Sequence, residues 1–232
     1  GSTNPHCRWR DVANYEFLLP PKDQQAKLAE LLWAADEETQ QFESFLAVTK
    51  TAAKVKFGEF LVGYRTKNRI RLGDICRAKQ WTTIPQSQFT KSGYPVYGAN
   101  GHIGFFSEYN HAERVVAITC RGATCGTVHF TPPKVYITGN AMCLEDIDES
   151  RFLAEFLFLV LSHLNLAGVI TGSAQPQIIK DDIERFKINE LSIDQQHEMV
   201  KLMETFSDGI AANAAKSAAS QQLLKSLINQ IF

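Results

Sequence analysis

The chain has 232 residues, 44% hydrophobic and 21% charged, with a formal net charge of −1. This is the mixture of a folded protein, one large domain or two small ones, and it argues against a wholly disordered chain. The longest apolar stretch, Phe152 to Leu161, contains Glu155 and is too short to span a bilayer, and Gly1 to Arg10 lack the apolar core of a secretory signal.

Residues 1–22 read as a lead-in segment, and this segment returns at an offset of 171 residues. Gly1-Ser2-Thr3-Asn4-Pro5 matches Gly172-Ser173-Ala174-Gln175-Pro176, Asp11 matches Asp182, Tyr15 matches Phe186, and Asp23-Gln24-Gln25 matches Asp194-Gln195-Gln196. Two copies so far apart cannot stack as neighbours, which argues against a solenoid. Each copy leads into a long helical pattern, expected over 23–57 and 191–232. The first apolar seam runs Leu28, Leu32, Ala35, Thr39, Phe42, Leu46, Thr49, Ala53. The second runs Met199, Met203, Phe206, Ile210, Asn213, Ser217, Ser220, Leu224, Leu227, Ile231. Steps alternating between four and three make a heptad stripe, and the repeat keeps both seams in one frame. Pro20-Pro21 announces the first helix, and Ser192 with Gln195 forms a capping box for the second. The expected arrangement is an antiparallel coiled coil, with Phe42 facing the Asn213–Ser217 stretch.

The texture changes between the helices, and residues 58–190 read as a globular mixed α/β domain, so the fold class is α+β. Candidate strands are Ile70–Arg77, Tyr94–Tyr97, Ile103–Phe106, Val115–Cys120, Thr127–Phe130, Val135–Thr138 and Met142–Leu144, each bounded by turn residues. Ser150 is expected to cap a buried helix from Phe152 to Leu164.

Charge is unevenly spread. Residues 1–49 carry four basic and eight acidic side chains, 50–140 carry thirteen and four, and 141–232 carry seven and thirteen. The middle third, net +9, is either a phosphate-binding footprint or a solvated basic face. Its densest run holds Arg65, Lys67, Arg69, Arg71, Arg77 and Lys79. Five Cys without a C-x-x-C pair fit a reducing compartment better than a disulfide framework.

No catalytic constellation stands out: there is neither a phosphate-binding G-x-x-x-x-G-K loop nor an H-E-x-x-H helix. Cys120, Cys125 and His129 allow a zinc reading, but no second paired set exists, and buried strand cysteines are the plainer reading. Thr131-Pro132-Pro133-Lys134 resembles the Asn/Asp-Pro-Pro-Tyr loop of amino-methyltransferases only in outline. It lacks the amide or carboxylate that would accept from the target amine and the aromatic that would stack on a flipped base. Metal and cofactors are therefore not expected.

What the block does carry is polar and aromatic groups in loops: Lys79-Gln80-Trp81, Tyr97-Gly98-Ala99-Asn100-Gly101-His102, Arg121-Gly122-Ala123-Thr124, Thr138-Gly139-Asn140 and Gln175-Pro176-Gln177. Arg, Lys, Asn and Gln match base edges in the major groove, and loops are where such groups are displayed. The alternative is that Asn100 and Asn140 fill turns beside Gly.

Four segments taken in order resemble a target-recognition domain of type I restriction–modification specificity subunits. They are Gly98-Ala99-Asn100-Gly101-His102-Ile103-Gly104, Ile118 to Gly126 with Arg121-Gly122, Ile137-Thr138-Gly139-Asn140-Ala141, and Gly172 to Ile178. Leu19-Pro20-Pro21-Lys22-Asp23-Gln24-Gln25 resembles that family's Leu-Pro-Pro-x-x-x-Gln approach to its conserved helix. The resemblance implies a non-catalytic, cytoplasmic, DNA-binding subunit that reads half of a bipartite double-stranded target. It implies docking to methyltransferase subunits and, through them, to the restriction subunit. One recognition domain flanked by two helices makes the chain similar to half of such a subunit, completed by a homodimer or a second specificity half. The competing reading is a single-chain DNA methyltransferase or nuclease using the same module. The DNA contacts expected are Arg65, Lys67, Arg69, Lys79, Gln80, Trp81, Lys91, Tyr97, Asn100, Arg121, Thr124, Asn140, Gln175 and Gln177. Gln80, Asn100, Arg121, Asn140 and Gln177 are expected to include the base readers.

Overall fold

The computed structural model describes residues 8–16, 19–64, 68–99, 101–172 and 174–231. Among the described residues there are five α-helices: α1 Trp9–Ala13, α2 Lys22–Gly63, α3 Ala154–His163, α4 Lys180–Arg185 and α5 Ile193–Ile231. Nine strands accompany them: β1 Arg69–Arg71, β2 Arg77–Gln80, β3 Tyr94–Gly98, β4 Gly101–Phe106, β5 Val116–Thr119, β6 Val128–Phe130, β7 Tyr136–Ile137, β8 Ala141–Glu145 and β9 Lys187–Asn189. The contacts divide the chain into two units, Gly1–Ala52 with Phe206–Phe232, and Ala53–Thr205.

The repeat is structural. Trp9 and Lys180, which open α1 and α4, stand 171 positions apart, as do Lys22 and Ile193, which open α2 and α5. Both long helices also begin with the same side-chain bond. Gln25 Nε2 donates to the carbonyl of Pro20 at 2.6 Å, and Gln196 Nε2 donates to that of Leu191 at 2.9 Å. The capping box of α5 is formed: Ser192 N donates to Gln195 Oε1 at 3.0 Å and Gln195 N to Ser192 Oγ at 3.3 Å.

In the first unit the two long helices pack antiparallel as a coiled coil. Within this unit every member of the first seam, Leu28 through Thr49, is buried or half-buried, and so is the second seam from Phe206 to Leu227. The helices meet through small residues: Ala35, Thr39, Ser217 and Ser220 are all buried. Thr39 Oγ1 lies 2.9 Å from the carbonyl of Ala35 and 3.2 Å from Ser220 Oγ. The Ser220 hydroxyl in turn donates to Glu38 at 3.3 Å. Phe42 is only half-buried and lines a groove with Lys216, Ala219 and Ser220.

Among the described residues the second unit holds three sheets, ordered β1-β9, β2-β8-β5-β6 and β4-β3-β7. The four-stranded sheet is the middle layer. One face, with Ala78, Val116, Ile118, Met142 and Leu144, meets the main core of Phe152, Phe156, Leu157, Leu161 and Ile183. The other face, with Ala117, Ala141 and Cys143, meets Val115, Val135, Ile137, Trp81 and Tyr97. Burial on both faces is why β5 and β8 read as unbroken apolar runs rather than alternations.

Two local expectations are corrected. The run Ile70–Arg77 is not one strand, because a 3-10 turn, Leu72–Asp74, separates β1 from β2. Ser150 does not cap the buried helix. Its hydroxyl bonds Asp148, and α3 begins later, at Ala154, with Gln196 Oε1 accepting the N–H of Leu153 at 2.9 Å. Among the described residues no helix is long and apolar enough to cross a membrane.

Candidate nucleic-acid interface

Several loops of the second unit converge. The β3–β4 hairpin turns at Gly98–Gly101, and its Ala99 carbonyl accepts from the hydroxyls of Thr119, at 3.0 Å, and of Thr124. The loop after β5 is joined to the 171–178 segment: Arg121 bridges Gln177, Gly122 N donates to the Pro176 carbonyl at 3.1 Å, and Ile178 N donates to that of Cys120 at 3.0 Å. The β7–β8 turn joins the same set, as Thr138 N donates to the Tyr97 carbonyl at 2.9 Å and Cys120 N to that of Asn140 at 3.0 Å. The end of β2 closes it, with Gln80 Nε2 donating to the Gly139 carbonyl at 2.9 Å. Two glycines are needed for this closeness. Gly101 has φ +75°, and a Cβ there would meet the His129 ring at 3.3 Å. A Cβ on Gly139 would stand 2.7 Å from the Trp81 carbonyl oxygen.

Six expected contacts, Gln80, Tyr97, Arg121, Thr124, Asn140 and Gln177, thus belong to one hydrogen-bonded set of loops, and Gln175 precedes it by one residue. Arg121, Gln175 and Gln177 are exposed, whereas Tyr97 and Asn140 are half-buried. Gln80 is exposed but engaged: its amide nitrogen faces both the Gly139 carbonyl and Cys120 Sγ, which leaves Oε1 as its outward acceptor. Lys91 is exposed in the turn before β3. The structure does not join Arg69 to the loops. It sits on β1, donates to the Lys187 carbonyl at 2.7 Å, and borders a cleft of about 630 Å³ lined also by Leu61, Val160 and His163. Arg65, Lys67 and Asn100 lie outside the described residues.

Lys79 and Trp81 form a second group, which the loop pattern does not reveal. Lys79 Nζ lies 3.6 Å from the centre of the Trp81 ring. The indole Nε1 donates to Glu145 Oε1. Glu145 also pairs with Arg77 at 3.3 Å, with Lys79 at 3.6 Å and with His111 at 3.2 Å. Two of the six cations in the densest basic run are therefore partly neutralised by one carboxylate. No short motif announces this arrangement, because Glu145 meets its partners from 34 to 68 positions away.

His111, Cys143 and Glu145 are the one set of three such donors, among the described residues, whose ligand atoms lie within 4.8 Å of one another. Arg77 and Lys79 already answer the carboxylate, and burial pushes the Cys143 thiol well up, away from the thiolate a metal needs. Among the described residues, Cys120, Cys125 and His129 form no such set. Thr131 is a buried structural residue: its hydroxyl accepts from Val115 N at 3.2 Å. Burial also lowers the pKa of His129, whose buried Nε2 has no hydrogen-bond partner among the described residues.

The family model of the type I restriction modification DNA specificity domain matches residues 65–219. The EcoprrI specificity subunit of Escherichia coli is 26% identical over 113 residues, which is 49% of this chain and 28% of that protein. The fold is similar to the S subunit from M. genitalium, with TM-score 0.72 and 15% identity over 91% of this chain and 61% of that one. It is also similar to the HsdS subunit from Thermoanaerobacter tengcongensis, with TM-score 0.58 and 18% identity over 100% of this chain and 64% of that one. A third likeness, TM-score 0.64 and 17% identity over 92% of this chain and 60% of the other, is to a chain from a type I R-M system described for its complex assembly and conformational transition. The chain therefore spans less than two thirds of the relatives it matches, and with a family model covering most of its length it belongs to the family of type I restriction–modification DNA specificity domains.

Proposed function

We propose that this chain reads one half of a bipartite double-stranded DNA target and has no catalysis of its own. The observation that carries the reading is the convergence of five loop segments, bearing Gln80, Tyr97, Arg121, Thr124, Asn140 and Gln177, in one bonded set. Such a set presents amide and guanidinium groups on a framework fixed by backbone bonds, which suits readout of base edges. Lys79, Trp81, Lys91, Gln175 and, from the segments outside the described residues, Arg65, Lys67 and Asn100 complete the contacts we assign. Arg69 enters only as a phosphate contact. In this reading residues 58–190 are the recognition domain, and 23–57 and 191–232 are the helices that space it from a second one.

The lead-in segment supports a second half. Ile183 of α4 is 0% exposed in the core, while its repeat equivalent, Val12 of α1, is 51% exposed. Tyr15, the equivalent of the half-buried Phe186, is 65% exposed. These side chains have the character of core residues whose block is supplied by a second recognition domain, from a longer chain or from another copy. A methyltransferase partner, and the restriction subunit through it, would dock on the coiled coil. Trp33, 74% exposed, and the exposed Phe45 and Val48 offer apolar anchors there.

The test is selection from random duplexes with and without the methyltransferase subunit, followed by gel shifts across salt. A selected half-site whose affinity falls steeply with salt supports the reading. Duplex binding with no preferred bases defeats it. Titration with S-adenosylmethionine checks the enzyme alternative, and the expected result is no binding.

A further inference from the structure

The network around Glu145 contains a proton site whose place can be deduced. Asn110 is locked by a backbone pair: Ile137 N donates to its Oδ1 at 2.8 Å, and its Nδ2 donates to the Ile137 carbonyl at 2.9 Å. Exchanging the amide's oxygen and nitrogen would break both bonds, so the atom facing His111 Nδ1 at 2.7 Å is an acceptor. His111 Nδ1 therefore carries hydrogen. The other ring nitrogen, Nε2, faces Glu145 Oε1 at 3.2 Å. That oxygen already accepts the indole N–H of Trp81. In a neutral ring with its hydrogen on Nδ1, the Nε2 lone pair would point at a carboxylate, and the contact would be repulsive. The contact is attractive only with a proton between them.

We infer that His111, held by Asn110 and bonded to Glu145 when Nε2 is protonated, is a positioning residue for the Lys79–Trp81 pair, and that DNA binding at this face drives the uptake of that proton. The second clause rests on the DNA reading above; the first does not. The ring of His111 also meets Trp81 edge-on, with centroids 5.3 Å apart, so the carboxylate and the imidazole together fix the indole, and Lys79 lies over its face.

The charges facing His111 set how tightly the proton is held. Lys79 opposes it from β2, where Arg77 also pairs with Glu145. Glu145 favours it from β8, where Cys143 is a buried thiol. The cleft beside the ring, about 510 Å³, is lined further by Glu113, Arg114, Asp146 and Glu149. Burial is the largest influence and lowers the His111 pKa below its ordinary value, with the Glu145 bond acting against it. The proton is thus held loosely in the free protein. Phosphates brought near Lys79 add negative potential and hold it more tightly, which is the linkage between binding and proton uptake.

The experiment uses the whole chain and follows the Trp81 indole N–H by two-dimensional NMR from pH 5 to 8, assigned with Trp81→Phe. The signal should titrate with one proton, and the titration should vanish in Glu145→Gln, which keeps an acceptor for the indole but needs no imidazolium. Binding to a selected duplex should tighten up to tenfold per pH unit on acidification above the free protein's midpoint. Calorimetry in two buffers of different ionisation heat should count about one proton taken up, and none in His111→Gln. An indole signal indifferent to pH, or an unchanged proton count in His111→Gln, overturns the inference while leaving DNA reading intact. If no duplex binds at any pH, the DNA reading fails, and the indole titration still decides the His111–Glu145 pair. A shift produced by zinc and reversed by a chelator, in place of the titration, would overturn the proton in favour of a metal.

Discussion

Gln196 Oε1 accepts the backbone N–H of Leu153 at 2.9 Å, so a side chain in the first turn of α5 caps the start of α3. The same amide donates to the carbonyls of Arg151 and Leu191 at 2.7 and 2.9 Å, and the residue is fully buried. Gln196→Leu would leave three backbone groups without partners inside the protein. With about 1–3 kcal/mol for each unsatisfied group, the expected loss is about 3 kcal/mol or more, read as a lower urea midpoint at unchanged slope. Among the described residues its repeat equivalent Gln25 makes only the Pro20 side-chain bond, so Gln25→Leu should cost about 1 kcal/mol or less. Equal losses in the two variants would contradict this account.

The coiled coil closes through small residues, and its response to bulk follows. Ser217 and Ser220 are buried where Thr39 and Ala35 approach, so Ser220→Leu forces the helices apart and should cost about 1–3 kcal/mol. Phe42 is only half-buried, so Phe42→Ala should cost about 1–2 kcal/mol, short of the ~3 or more expected of a fully buried Phe. Thermal melts of helical circular dichroism would rank the two. A neutral Ser220→Leu would mean that the seam tolerates a wider spacing.

The seams are legible in the sequence because a heptad period is a local signal that covers more than twenty residues. The middle strands are legible for a similar reason, since burial on both faces makes β5 and β8 continuous apolar runs. What escapes is set by partners far along the chain. The break in Ile70–Arg77 sits where Gly73 lies against Glu184, whose Cβ would be 3.0 Å from an added Cβ. The cap of α3 comes from a residue 43 positions away. At the candidate interface, turn residues reveal the loops but not that the Gln80 amide nitrogen is engaged by Gly139 and Cys120 or that Glu145 gathers Arg77, Lys79, Trp81 and His111. A basic run counts charges, and only the fold shows which of them are already paired.

His129 gives a pH dependence of stability that is separate from the Glu145 network. Burial alone lowers its pKa, and the buried Nε2 has no partner among the described residues. The folded state therefore binds this proton less readily than the unfolded chain does. Stability is full above the unfolded value of about 6.5 and falls as the pH drops toward the lower folded value, by at most about 1.4 kcal/mol per pH unit for one group. His129→Phe should keep the edge contact with Tyr97, centroids 6.1 Å apart in the native protein, and flatten this part of the profile. Urea midpoints at pH 7.5, 6.5 and 5.5 would measure it. A parallel loss in the variant would place the effect on other groups.

Arg121, Asn140 and Gln177 should differ from Lys91 in what their removal does. The first three sit in the bonded loop set, where the backbone fixes their direction: Arg121 and Gln177 bridge each other, and the Asn140 carbonyl holds Cys120 N at 3.0 Å. A base reader so fixed loses about 1–3 kcal/mol of discrimination at one base pair when cut to alanine, and preference elsewhere in the site is kept. Lys91 is exposed in a turn, and as a phosphate contact its alanine variant should weaken all duplexes alike and lower the salt slope by about one. Selection from random DNA with each variant, in the presence of the methyltransferase subunit, separates the two behaviours. Truncation of Asn140 removes only its amide, since the carbonyl that holds the turn belongs to the backbone, so a lost preference there reports contact with a base rather than a collapsed loop. If Arg121→Ala, Asn140→Ala and Gln177→Ala all select the parent sequence, the reading face lies elsewhere on the block.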